Sequence, residues 1–323
     1  MNIFKAAVFS NNYCKGQNRY EKLNDREREI VTMDALGCIL ESYHYVGKQQ
    51  YVDAMRANGA KVFLDSGAFS AYTLGVTLKP EDYCKYITDN LDIIRFEDGD
   101  MMASVLDAIG DARQTGINQQ HMEYLLKPWG VRPMPTFHFE EPPEYLDWYV
   151  ANYNYISLGG MVGAHTEQLR TWLERVWENH LLDGAGRAKI KVHGFGITSV
   201  PLMEEFDWYS CDSSSWIQSA AFGSIVLPGV SKSNPAQPIS VSTKSPSRHD
   251  YGQHITTMSA PERAYLEKIL NDNGFDVERL GTVYESRAAF NLYAFSELQN
   301  IMNKNRRVDF RRGKRQDLFG TID

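Results

Sequence analysis

The sequence predicts an α/β protein, a (β/α)8 TIM-like barrel with a C-terminal helical appendage. Eight short apolar runs of β character recur over the first two thirds of the chain. Between most of them lie segments whose apolar residues return at three- and four-residue steps, the spacing of an amphipathic helix. Polar residues of chemical interest stand at the ends of these runs, and in a barrel such ends converge on one face. A doubly wound parallel sheet is the other arrangement compatible with the same alternation.

The strands are expected at residues 4–9, 38–43, 61–64, 103–106, 134–137, 155–158, 190–195 and 208–211. Helices are expected in KQQYVDAMRANG, LKPEDYCKYITDNL, NQQHMEYLLKPW, PPEYLDWYVANY and TEQLRTWLERVWENHLL, with Pro142 and Pro143 opening one and Gly59 closing another. After about residue 225 the segment PGVSKSNPAQPISVSTKSPSRHDYGQ is rich in Ser and Pro and has no period, so it is expected to be a long surface loop. APERAYLEKILNDNG and SRAAFNLYAFSELQNIMNK are again helical in pattern. The expected organisation is a catalytic core over 1–225, a Ser/Pro-rich loop over 226–257, a helical part over 258–303 that completes or caps the core, and a basic tail over 304–323. No internal repeat is visible.

Composition narrows the class. The 323 residues are 43% hydrophobic and 23% charged, ordinary for a soluble protein with a large core. No run of about 18 apolar residues is present to cross a membrane, and MNIFKAAVFSNNYCKG lacks the pattern of a signal peptide. Cys14, Cys38, Cys84 and Cys211 are widely dispersed, which suggests neither a metal knuckle nor a disulfide frame. A cytoplasmic location is expected. The net charge of −7 is uneven: residues 304–315, KNRRVDFRRGKR, carry +6 and leave −13 elsewhere. Such a segment is either a phosphate contact or a solvated tail.

Asp65 follows the third strand in FLDSGAFS, where a carboxylate at the exit of an apolar strand is costly unless something requires it. Asp107 follows the fourth strand and His138 the fifth. Gly159 and Gly160 follow the sixth, His193 and Gly194 interrupt the seventh, and Asp212 follows the eighth. Three carboxylates and two histidines can hold a metal, but the HxH pair common on the first strand of barrel metal sites is absent. Paired carboxylates also serve glycosidic chemistry, one attacking the anomeric carbon and the other managing the leaving group's proton.

These residues resemble the tRNA-guanine transglycosylases, and most closely their DNA-acting relatives in phages and bacterial islands, the DNA 7-deazaguanine transglycosylases. The family's DSGG(F/Y)Q motif is similar to Asp65-Ser66-Gly67-Ala68-Phe69-Ser70, its GGLAVGE-like loop to Gly159-Gly160-Met161-Val162-Gly163, and its (M/H)GxG turn to His193-Gly194-Phe195-Gly196. Asp212-Ser213-Ser214-Ser215-Trp216 matches the DSxSW form of the DNA-acting branch. The likeness covers roughly residues 60–230. Three departures stand against it as a tRNA enzyme. No cysteine follows Cys211 to build the tRNA enzymes' zinc site, Ser70 stands where they have Gln, and Ala164-His165 stands where they have Glu.

The resemblance implies that Asp212 is the nucleophile at C1′ and Asp65 the general acid/base. It implies that Asp107 accepts from the N1–H and amine edge of a guanine-type base and that backbone N–H groups at Gly159 and Gly160 reach its O6. Phe69 and His193 would sandwich the base, His138 would make a polar contact, and Ser66, Gly67 and Gly194 would complete the base site. Each has a plainer reading: Asp212 as a helix N-cap, Asp65 as an Asx turn, His138 as a core histidine. The partners implied are DNA, its target nucleotide flipped or single-stranded, and a free 7-deazaguanine base as co-substrate. No cofactor and no metal are expected, and no GxxxxGK(S/T) loop is present. Lys304, Arg306, Arg307, Arg311, Arg312, Lys314 and Arg315 are expected on the nucleic-acid backbone, with Lys232, Lys244 and Arg248 as further candidates. A phage enzyme would work in the host cytoplasm. The same chemistry on tRNA, a non-catalytic binding subunit and a metal-dependent hydrolase are the rival expectations.

Overall fold

Alternation along each strand sorts side chains onto two faces. Phe4, Ala6, Cys38, Leu40, Phe63, Met102, Met134 and Tyr155 share one buried cluster, and Ile3, Ile39, Val62, Leu64, Ile156 and Leu158 share the other with the helices. The computed structural model describes residues 1–229 and 236–304. Its strands are β1 (Asn2–Ala6), β2 (Ile39–Ser42), β3 (Val62–Asp65), β4 (Phe96–Glu97), β5 (Asp100–Met101), β6 (Thr136–His138), β7 (Tyr155–Gly159), β8 (Lys191–Gly194), β9 (Ser210–Ser213), β10 (Ser224–Pro228) and β11 (Ala236–Ser240). Seven of them form a curled parallel sheet in the order β3-β2-β1-β9-β8-β7-β6. This is a mixed α/β fold, with parallel strands covered by crossover helices.

Register carries the strand ends to one level. Ser42 pairs with Asp65, Phe4 with Asp212, His138 with Gly159 and Leu158 with Gly194. The expected fourth strand, 103–106, makes only single bridges, Leu64 to Ala103 and Ser104 to Met134, both parallel. Pro133 and Pro135 flank Met134. Without N–H groups they interrupt the ladder, so the strand expected from 134 begins at Thr136.

The expected helices form at Gln49–Ala57, Pro80–Asp89, Ala112–Leu126, Pro143–Asn152, Thr166–Val176, Ala260–Asp272 and Tyr284–Lys304. The boundary expected at residue 225 is corrected, because it falls inside β10, which pairs antiparallel with β11. The segment read as an aperiodic loop therefore contains a hairpin. Its Ser and Pro residues conceal the buried run Ile225-Val226-Leu227.

The last helix is integral to the core, not an appendage. Phe290, Leu292, Phe295 and Leu298 are buried. Gln299 accepts from the Ile3 N–H at 2.6 Å, and Arg287 Nε donates to the Ala220 carbonyl at 3.1 Å. Asn291 is fully buried. It accepts from Val226 N–H at 2.8 Å and donates to the carbonyls of Trp216 at 2.9 Å and Ser224 at 3.2 Å. An Asn291→Leu variant strands three buried backbone groups and is expected to lose about 3 kcal/mol in urea unfolding; a loss below about 1 kcal/mol would show that water replaces the amide.

Candidate active site

Asp212 sits on β9 between Cys211, buried on the helix side, and Ser213. It is 8% exposed. Its Oδ1 accepts from Gly196 N–H at 2.8 Å and lies 3.3 Å from His193 Nε2. Among the described residues Oδ2 carries no hydrogen bond. His193 Nδ1 is 2.6 Å from Ser210 Oγ, itself 2.5 Å from Tyr155 Oη. A carboxylate only accepts, so Nε2 holds the imidazole proton. Ser210 then donates to Nδ1, and Tyr155 donates to Ser210. Burial pushes the His193 pKa down despite the pull of Asp212. Phe63, Phe195 and Phe4 surround the ring at centroid distances of 4.7, 4.6 and 5.9 Å. His193 is 0% exposed. It therefore has no free face for a stacked base and acts beneath Asp212 as its neutral support. The helix N-cap reading of Asp212 is not realised, since Ser214 occupies that position before Ser215–Ala221.

Asp65 ends β3, partly buried. Gly67 N–H donates to its Oδ2 at 3.1 Å, so the Asx-turn geometry is present. Gly67 has φ +76, and a Cβ there would collide with Ser42 Oγ and lie 2.6 Å from His44 Cβ. The glycine is required by the neighbouring strand end. Ser104 Oγ accepts from Ser66 N–H at 2.9 Å and is 3.4 Å from Asp65 Oδ1. Burial first, then the charges of Asp107 and Asp212, push Asp65 up to about 7, against the Gly67 hydrogen bond. A carboxyl in this state holds its proton near neutrality.

Asp107 is bound at both oxygens, Oδ1 by Ser66 Oγ at 3.1 Å and Oδ2 by His138 Nε2 at 2.8 Å. His138 Nδ1 meets Glu141 Oε1 at 2.9 Å, and its backbone N–H donates to Glu141 Oε2 at 2.9 Å. Burial lowers the His138 pKa, but the two carboxylates outweigh it and push it up to about 9. Gly160, at φ +71, would place a Cβ 3.0 Å from His138 Cβ. Gly159 and Gly194 are buried strand residues.

Asp65, Ser66, Asp107 and His138 thus form one connected cluster, coupled by charge to Asp212, which is itself supported by His193. Phe69 is 52% exposed at the rim, in the helix Ala68–Thr73. Lys244, Arg248 and Lys304 are exposed. Arg306, Arg307, Arg311, Arg312, Lys314, Arg315 and Lys232 lie outside the described residues. Ser104, Glu141, Ser210 and Tyr155 carry no site expectation from the sequence, and Gly196 enters it only as the end of the His193-Gly194-Phe195-Gly196 turn. Glu141 was discoverable from HFEEPP, where a carboxylate three residues after a histidine can turn back to it. The hydroxyl chain from Tyr155 depends on long-range register and has no local signal.

Among the described residues no three His, Cys, Asp or Glu side chains converge as a metal site. No family model matches the chain, and no curated protein matches it either. The arrangement itself offers divided labour: one carboxyl that retains a proton beside another supported as an acceptor.

Asp65 links the site to stability. Its folded pKa of about 7 lies above its ordinary 3.8, so the folded state binds the extra proton and stability falls as pH rises through that window. Asp65→Asn removes this penalty. The variant is expected to come close to wild type near pH 4 and to exceed it by on the order of 4 kcal/mol at pH 8. Equal stability of variant and wild type at both pH values in denaturant titrations would show that folding leaves the Asp65 pKa near its ordinary value.

Proposed function

We propose that the chain is a base-exchange transglycosylase that replaces guanine in DNA with a 7-deazaguanine. The gathering of Asp65, Asp107 and Asp212 at the same end of the parallel strands, close enough for the charges of Asp107 and Asp212 to act on Asp65, with Asp65 able to hold a proton near neutrality, carries this reading. The bridges from Leu64 to Ala103 and from Ser104 to Met134 support an eight-membered barrel in which residues 103–105 link the two edges of the sheet.

In the proposed reaction Asp212 attacks C1′ of a flipped deoxyguanosine. The bond from C1′ to N9 breaks, and Asp65 gives its proton to the departing guanine. A covalent glycosyl-aspartate remains. The incoming 7-deazaguanine then loses its N9 proton to Asp65 as N9 attacks C1′, and the bond to Asp212 breaks. Two inversions restore the configuration, and Asp65 ends with the proton it began with. The free Oδ2 supports Asp212 as the attacking group, because Gly196 and His193 secure only Oδ1. Asp107 recognises the base edge, and the exposed Phe69 stacks near it. The absent zinc-site cysteines favour DNA over tRNA.

Incubation with labelled guanine and double-stranded DNA, single-stranded DNA or tRNA tests the reading. Label is expected in DNA alone, reduced by roughly 10³-fold or more in Asp212→Asn. The kcat/KM for exchange is expected to fall above a pH of about 7, as Asp65 loses its proton. Label in tRNA alone would move the substrate to tRNA. No label with DNA binding intact would leave a binding subunit.

A further inference from the structure

We infer that Glu141 is a positioning residue for base recognition: acting through His138, it holds Asp107 as an ionised, acceptor-only carboxylate facing the donor edge of a guanine-type base. The inference rests on the proposed function and adds a residue and a chemical selectivity to it.

The geometry is a chain of three charges, Glu141 Oε1 to His138 Nδ1 at 2.9 Å and His138 Nε2 to Asp107 Oδ2 at 2.8 Å. His138 and both acids are only 10–15% exposed at their side chains. A neutral imidazole has one N–H and can serve one of these carboxylates; the imidazolium has two and serves both. Glu141 therefore stabilises the imidazolium, the one form of His138 that donates to Asp107 while also donating to Glu141. Its second oxygen accepts from the His138 backbone N–H, which fixes the ring's approach.

Among the described residues, no charged side chain other than Asp107 and Glu141 lies at hydrogen-bond range of His138. The end of β7 presents Gly159 and Gly160 to His138. The loop after β3 presents Ser66, which reaches Asp107. The helix Pro143–Asn152 brings Tyr149 near Glu141, where burial raises the phenol's pKa. The groups that set the state of His138 are thus Asp107 and Glu141.

Selectivity follows from what Asp107 has left. Each carboxylate oxygen takes one protein donor, Ser66 on Oδ1 and His138 on Oδ2, and keeps one acceptor direction. Two parallel acceptors match N1–H and the exocyclic amine of guanine or a 7-deazaguanine. They oppose the bare N1 of adenine, and hypoxanthine fills only one of them. Ser66 is oriented for this, since its oxygen accepts from Ala68 N–H at 3.3 Å.

The test is Glu141→Gln, which keeps the shape and the acceptor for the His138 backbone. Two quantities are compared with wild type from pH 6 to 9.5: KM and kcat for the free base in exchange, and the histidine ring nitrogens by NMR. The KM is expected to rise about tenfold with kcat within about twofold, and the ratio to grow with pH. The titration of the free base is common to both proteins and cancels. One imidazolium is expected to persist to a pH of about 9 in wild type and to titrate lower in the variant. An unchanged KM, or a histidine midpoint that does not move, overturns the inference while leaving exchange in place. Loss of all exchange and base binding in wild type overturns the proposed function and the recognition role together; the NMR titration then still reports whether the charge chain exists.

Discussion

Three carboxylates gathered at one end of a parallel sheet cannot all be charged in a half-buried mouth unless something answers each charge. The site is organised by how that problem is divided. Asp107 is answered by a cation, His138, itself placed between two acids. Asp212 is answered by neutral donors, a backbone N–H and an imidazole. Asp65 has a weak backbone bond, and it carries the raised affinity for a proton. Three identical functional groups acquire three different sets of partners from their neighbours alone.

The two histidines show the same principle in opposite directions. His138 lies between acids and is held charged. His193 lies within a phenylalanine cage and is held neutral. Each is defined by what it packs against, which explains why sequence reasoning found both and misassigned one. The position of His193 interrupting an apolar run marks it as a candidate site residue, but nothing local says that Phe4 and Phe63, from distant strands, pack against its ring.

The fold was legible to a similar depth. The positions of most strands and helices follow from period and turn chemistry, because those are local properties. The hairpin β10–β11 was hidden by Ser and Pro, whose local preference for turns is overridden by Asn291 reaching from a helix more than sixty residues away. The same reach converts an expected appendage into part of the core. Of the site, the acids at strand ends were visible and their supporting partners were not, since Ser104, Ser210 and Glu141 matter only through contacts that register and loop closure create.

Alternation on β9 places a thiol and a carboxylate on consecutive residues, Cys211 toward the helices and Asp212 toward the mouth. A slip of one residue would exchange them. What opposes that slip lies on the far side of the sheet. Gln299 holds the backbone of Ile3, Trp216 Nε1 donates to the Ala6 carbonyl at 2.8 Å, and Asn291 holds Trp216. The last helix thus serves as a ratchet for the strand that bears the acid. Damage to it reaches the reacting atom by changing which side chain faces the mouth, without touching the mouth itself.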